Sequence, residues 1–143
     1  MEHFQKLESI YLSANVNTQI YYTTTISISE GESEISLEVN PKNFHALNAI
    51  HGSVSFKLLD DATFFAVNSL VKDVFVLTTS FNINLVRPVS SGRIIAKGKI
   101  RFKSQNLFMV EASLVDENNK EVGFGSGNFM KSKVALSEEI GYK

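Results

Sequence analysis

The 143-residue chain has no cysteine, no tryptophan, two prolines and almost no net charge, with 14 Lys and Arg against 15 Asp and Glu. Each absence excludes something. Without cysteine there is no thiolate nucleophile, zinc ribbon or redox pair. A near-neutral balance argues against a dedicated nucleic-acid binder, whose phosphate contacts call for a basic excess. No apolar run approaches the roughly 20 residues of a membrane span, and Met1-Glu2-His3-Phe4-Gln5-Lys6 lacks the basic-then-apolar layout of a signal peptide. The expectation is a cytoplasmic protein that engages neither nucleic acid nor membrane. The length suits one domain, residues 1–143, able to bury a core without disulfide or structural metal.

What is present is ordered by its period. Phe4, Leu7 and Tyr11 fall at helical spacing, which predicts a short helix from Glu2 to about Ser13. Thr23 to Ser29 and Glu34 to Val39 alternate apolar with polar around a Glu30-Gly31-Glu32-Ser33 turn, a hairpin signal. From Ser53 to about Leu70 the chain is apolar around most of a helical circumference, so this helix is expected to be buried. Lys57 and Asp61, four apart, can pair on whatever strip meets water.

Extended runs follow. Leu77, Thr79, Phe81, Ile83 and Leu85 alternate with Thr78, Ser80, Asn82 and Asn84, and the run ends at Arg87-Pro88. Strict alternation through Ala96, Gly98, Ile100 and Phe102 puts Lys97, Lys99, Arg101 and Lys103 on a single strand face. Phe108 to Leu114 and Glu121 to Met130 continue the pattern across a turn at Asp116 to Lys120, and the tail from Lys131 is expected to be loosely held. Strands joined by short turns form an antiparallel sheet, and one very apolar helix must be wrapped by it. The architecture expected is α+β, five or six strands around one long buried helix.

Catalytic-looking residues concentrate between Asn43 and Asp61. Gly52 and Ser53 open the buried helix, where backbone N–H groups lack intrahelical partners and can receive a developing oxyanion. The plainer reading makes His51 and Ser53 helix caps. Asp60 lies mid-helix among apolar neighbours, where a carboxylate is costly unless paired or useful, and the choice between satisfied carboxylate and general base stays open. His45 reads as a loop residue making local hydrogen bonds. His45 and His51 lack a third ligand at metal spacing, so no metal site is expected. Gly123, Gly125 and Gly127 lie on a strand that does not lead into a helix, which fails the context of a phosphate loop.

The run Asn43-Phe44-His45-Ala46-Leu47-Asn48-Ala49-Ile50-His51-Gly52-Ser53, then Leu58-Leu59-Asp60-Asp61-Ala62 and Thr78 to Pro88, resembles the hotdog-fold acyl-CoA thioesterases of the phenylacetate-pathway (PaaI-like) type over nearly the whole chain. That family has His-Gly-Gly at the helix start, then an Asp. His51 and Gly52 match the first two positions, Ser53 replaces the second glycine, and Asp60 matches the catalytic carboxylate in spacing. Thr78 falls where the family often carries a water-positioning Ser or Thr. His45 and Asn48 stand where the family commonly has an Asn and a Gly.

The resemblance implies thioester hydrolysis. Gly52 polarises the carbonyl, Asp60 acts as base or nucleophile and Thr78 orients water, while His51 shapes the helix start. His45, Asn48 and Ser53 are loop positions near the substrate, and Arg87 with Lys97, Lys99, Arg101 and Lys103 are the cations available to the coenzyme's phosphates. No separate cofactor is implied, because coenzyme A belongs to the substrate. Gly52 and Asp60 are eight helical residues, or roughly 12 Å, apart. They cannot serve one carbonyl from one chain, so a homodimer sharing its sites is expected, with a dimer of dimers as the larger assembly. Two other readings use the same fold: a hydroxyacyl-CoA dehydratase or hydratase, needing a histidine beside Asp60, and a non-catalytic acyl-CoA binder.

Overall fold

The computed structural model describes residues 2–143. Helix α1 (Glu2–Ser13) leads into a short α2 (Asn15–Gln19), which the sequence reading missed, and then into the hairpin β1 (Thr25–Ser29) and β2 (Glu32–Glu38). The hairpin turns through Gly31 at φ 74°, a left-handed value that favours glycine. A 3₁₀ turn at Pro41–Asn43 precedes α3 (Gly52–Asn68), followed by β3 (Val74–Leu85), β4 (Arg93–Lys103), β5 (Leu107–Asp116) and β6 (Glu121–Ala135). All pairings are antiparallel, in the order β1-β2-β4-β5-β6-β3. This is the expected six-stranded sheet wrapped around one long helix: α3 touches every strand.

Its core positions, among them Val54, Leu58, Leu59, Ala62, Phe65, Ala66 and Val67, are buried against Ile35, Ile94, Ala96, Val110, Leu114 and Phe129. Close approach is set at Gly98 on β4, where a Cβ would come within 2.5 Å of the Ala62 carbonyl oxygen, and at Ser33, whose hydroxyl donates to that carbonyl (2.9 Å). The helix stops at Asn68 rather than Leu70. Asn68 Nδ2 donates to the Val71 and Val74 carbonyls, and its Oδ1 accepts from Val76 N–H, locking the turn into β3.

The C-terminal segment is not loose, contrary to expectation. β6 runs on to Ala135, Leu136 N–H donates to the Asp73 carbonyl, and Leu136, Ile140 and Tyr142 pack against the core. His3 ties three elements together, with Nδ1 2.8 Å from Tyr142 Oη and Nε2 2.9 Å from the Asn68 carbonyl.

Two β-bulges change which way side chains point. The β3–β6 register shifts between Thr78 and Ser80, and the β4–β5 register between Ile100 and Phe102. A bulge adds one residue and reverses the alternation beyond it. Thr78 therefore pairs with buried Phe129 on the helix side, although the sequence alternation groups it with outward Ser80, Asn82 and Asn84. Lys103 likewise pairs with buried Phe108, whereas Phe102 pairs with exposed Met109. The expected four-cation face is thus corrected: Lys97, Lys99 and Arg101 face outward and Lys103 lies on the helix side.

The sheet's two edges differ. β1 is five residues long, and Glu8 Oε2 of α1 accepts its Ile28 N–H (2.9 Å). β3 is twelve residues long, carries no charged residue, and no described strand pairs with its outer edge.

Candidate active site

The cap of α3 leaves one backbone donor unused. Ser53 N–H donates to His51 Nδ1 (3.1 Å), Ser53 Oγ stands 2.9 Å from the same nitrogen, and Val54 N–H donates to the His51 carbonyl (2.9 Å). Gly52 N–H has no partner among the described residues and sits at the positive end of the helix dipole. His51 N–H donates to the Asn43 carbonyl (2.8 Å), which anchors the preceding loop. In that loop Leu47 N–H donates to His45 Nδ1 (3.0 Å), and Asn48 takes a left-handed φ of 61°. His45 thus makes the local hydrogen bonds expected of it, and His51 caps the helix through its side chain.

Positions i, i+4 and i+8 of a helix share one face. On α3 that strip is Gly52, Phe56 and Asp60, and it lies along β3. A Cβ at Gly52 would meet Leu85 Cδ1 at 3.2 Å, Phe56 meets Phe81 edge-on with ring centroids 5.4 Å apart, and Thr78 Oγ1 donates to Asp60 Oδ1 at 3.0 Å. The glycine run on β6 makes room for this strip: a Cβ at Gly125 or Gly127 would come within 2.8 Å of the Phe81 ring. That is a structural use for glycines whose spacing alone suggested a phosphate loop.

Asp60 is half-buried and has no cation within ion-pairing distance among the described residues. Burial raises its proton affinity above the ordinary carboxylate value; the Thr78 hydroxyl, which bonds the charged form, and Lys57 oppose this, while the neighbouring Asp61 charge adds to it. Asp60 Oδ2 takes no hydrogen bond from the described residues. The arrangement offers an oriented carboxylate with one oxygen free for water or a carbonyl carbon, and, about 12 Å along the helix, a free N–H for a carbonyl oxygen.

Asp61, one residue on, faces the other way. It pairs with Lys57, whose Nζ also reaches Tyr11 Oη (3.3 Å) and lies 4.9 and 4.7 Å from the Tyr11 and Tyr21 ring centroids. The i, i+4 spacing announced the pair, but its enclosure by two tyrosines was not legible. Burial raises the Asp61 carboxyl, with Lys57 opposing.

The remaining expected residues are dispersed. Arg87, two residues past Leu85, donates from Nε to the Glu121 carbonyl (3.1 Å). The outward cations are matched by carboxylates on neighbouring strands: Lys97 with Glu34 (3.6 Å), Lys99 with Glu32 (3.7 Å) and Arg101 with Glu111 (2.8 Å). Lys97 and Lys99 border a concavity of about 1110 Å³ whose lining includes neither Gly52 nor Asp60. No group of three or more His, Asp or Glu side chains is gathered for a metal among the described residues, and no helix is long and apolar enough to cross a membrane.

Residues 47–123, more than half of the chain, match the sequence model of the thioesterase superfamily. The chain belongs to that superfamily. Its fold is that of E. coli PaaI, a protein of the phenylacetic acid degradation operon, with a TM-score of 0.85 over 95% of this chain and 97% of that one at 18% identity. A thioesterase of Haemophilus influenzae superposes with a TM-score of 0.79 over 90% of each chain at 20% identity. A provisionally designated esterase of Saccharolobus solfataricus is 24% identical over 111 residues, 78% of this chain and 74% of that one. The resemblance to PaaI-like hotdog thioesterases thus stands, and the thioesterase-superfamily chain is a hydrolase by family.

Proposed function

We propose that this hydrolase cleaves an acyl-CoA thioester in a site shared by two protomers, with Asp60 of one and Gly52 of the other acting on the same carbonyl. The observation that carries the reading is the strip on α3: an unpaired, hydroxyl-oriented carboxylate and an unused helix-start N–H, aligned on one face but about 12 Å apart. Strand β3 supports the dimer. A long, uncharged edge calls for pairing, and the other edge is short and covered. Antiparallel pairing of β3 with its copy about a two-fold axis level with Phe56 and Phe81 brings the partner's Gly52 towards Asp60 and makes two equal sites. Exposed Leu77, Phe102, Met109 and Met130 on the outer face of the sheet are the surface we assign to a dimer of dimers.

In the reaction, the Gly52 N–H polarises the thioester carbonyl. Asp60 takes a proton from water as the water oxygen bonds to the carbonyl carbon, or attacks that carbon itself to form an acyl anhydride that water then cleaves to the free acid and Asp60. The C–S bond then breaks and coenzyme A leaves as a thiolate, a leaving group good enough to need no strong protein acid. Thr78 donates its hydroxyl hydrogen bond to Asp60, so its part in this scheme is to position the carboxylate rather than to orient water. No separate cofactor enters this scheme. The hydratase alternative gains nothing within one protomer: Nδ1 of His45 and of His51 is taken by local hydrogen bonds, and among the described residues Asp60 has Thr78, not a histidine, as its side-chain partner.

Thiol release measured over short, medium, long and aromatic acyl-CoAs tests the proposal. Turnover of at least one series, reduced by a factor of about 10² to 10⁴ in Asp60→Ala, is the expected result. Undiminished hydrolysis in the variant would overturn the role of Asp60, and tight binding of every thioester without turnover would favour a non-catalytic binder.

A further inference from the structure

Resting on the acyl-CoA reading, we propose that Lys103 and Lys131 form the binding site for the phosphates of the coenzyme's nucleotide end. The bulge at Arg101 divides the cations of β4 into two kinds. Lys97, Lys99 and Arg101 are each matched by a glutamate on the outer face, and their charges cancel there. Lys103 is turned to the helix side, where β6 brings Lys131 to the same cleft. The cleft, of about 270 Å³, is lined by Leu70, Lys103, Ser104, Gln105, Phe108 and Lys131. Neither lysine has a carboxylate within ion-pairing distance among the described residues. Two unneutralised cations with a hydroxyl and an amide over an apolar floor suit a phosphorylated sugar better than a neutral or cationic ligand.

The cleft also lies at the right reach. Thr78 pairs with Phe129, Phe129 with Phe108, and Phe108 with Lys103, a single cross-strand row on the helix side of the sheet. Three strand spacings of about 4.8 Å separate its ends, or roughly 14 Å. Lys131 is nearer, opposite Val76, two residues from Thr78 along β3. The pantetheine arm has about 13 bonds between sulfur and the first phosphorus, equal to about four extended residues or roughly 15 Å. Phe129 and Phe108 are themselves buried, so the row measures only the separation of its ends; the arm passes over the surface beside it and brings the phosphates first to Lys131 and then within the side-chain reach of Lys103, on the protomer that supplies Asp60.

The test is calorimetric binding of adenosine 3′,5′-bisphosphate, which carries no thioester and needs no turnover. The Lys103→Ala/Lys131→Ala double variant is expected to bind it at least about tenfold more weakly than the native chain, the Lys→Arg pair is expected to restore binding, and Lys97→Ala/Lys99→Ala is expected to leave it unchanged. Absence of binding to the native chain, equal affinity in the double alanine variant, or equal loss in the outer-face variant would overturn the assignment. Kinetics supply a second readout. In the double alanine variant KM for an acyl-CoA rises with kcat unchanged, while KM for the pantetheine thioester of the same acid stays constant; a rise in both, or in neither, contradicts the site. If neither thioester is hydrolysed by the native chain, the proposed reaction fails instead, and the nucleotide titration still decides between a phosphate site and none.

Discussion

Asp60 and Asp61 are neighbours on one helix, and burial raises the proton affinity of both, yet they sit in unlike company. Asp61 faces a lysine held between two tyrosines; among the described residues Asp60 bonds a single threonine hydroxyl and pairs with no cation. A half-buried carboxylate closed into an ion pair has little left to offer a substrate. One that is held by a neutral donor, with an oxygen to spare, keeps its reactivity at some cost in stability. On the proposed reaction the difference gives Asp61 to the fold and Asp60 to the chemistry, and each part of it can be broken separately.

The largest expected effect is on turnover. Asp60→Ala should lower kcat/KM by roughly 10³, equivalent to about 4 kcal/mol, with the thermal midpoint unchanged or raised. Next comes stability on the other strip. Lys57→Ala leaves half-buried Asp61 without its cation and removes packing over Tyr11 and Tyr21, and should cost roughly 2 kcal/mol in denaturant unfolding, less than a fully buried pair because both side chains keep some solvent contact. If Asp60→Ala unfolded the protein and Lys57→Ala merely slowed it, the assignment would be reversed.

Thr78→Val should act more mildly, lowering kcat roughly tenfold, and its pH profile is the sharper readout. Only charged Asp60 is competent, so kcat/KM falls on the acid side around a raised carboxylate value. Removing a bond that favours the charged form must move this limb to still higher pH. An unmoved limb would mean that Thr78 does not act through Asp60.

The smallest effect is on stability. Because folding raises the proton affinity of Asp60, its stabilising contribution is full below its unfolded pKa and is lost as pH rises through the folded one. Asp60→Asn should therefore gain roughly 0.5 kcal/mol at neutral pH, a figure discounted for partial solvent contact, and the gain should vanish in acid. Thermal melts at both pH values measure it.

Much of this was legible in the residues. Helix α3 announced itself by an apolar run too broad for a surface helix, and Asp60 by being a carboxylate inside that run. The Lys57–Asp61 pair followed from i, i+4 spacing. What failed did so for identifiable reasons. Strand faces were read by strict alternation, and bulges at Thr79 and Arg101 break that rule without a marker in local sequence. Hence alternation alone groups Thr78 with outward residues and Lys103 with the outer-face cations, and the polar composition after Met130 hides the strand that carries Lys131. The end of α3 at Asn68 depends on three hydrogen bonds from one side chain to a strand not yet formed in any local reading. The unused Gly52 N–H likewise emerges only once the cap geometry shows which donors are taken.

The central claim is that each site is assembled from two protomers, and subunit mixing tests it most directly. Gly52→Pro removes the N–H at a first helical position whose backbone angle proline tolerates, and Asp60→Ala removes the carboxylate. Each homodimer alone should be inactive. Equal mixing after dissociation should make half of the dimers hybrid, each with one intact site, and restore about one quarter of native activity. No recovery in hybrids verified by mass would contradict a shared site.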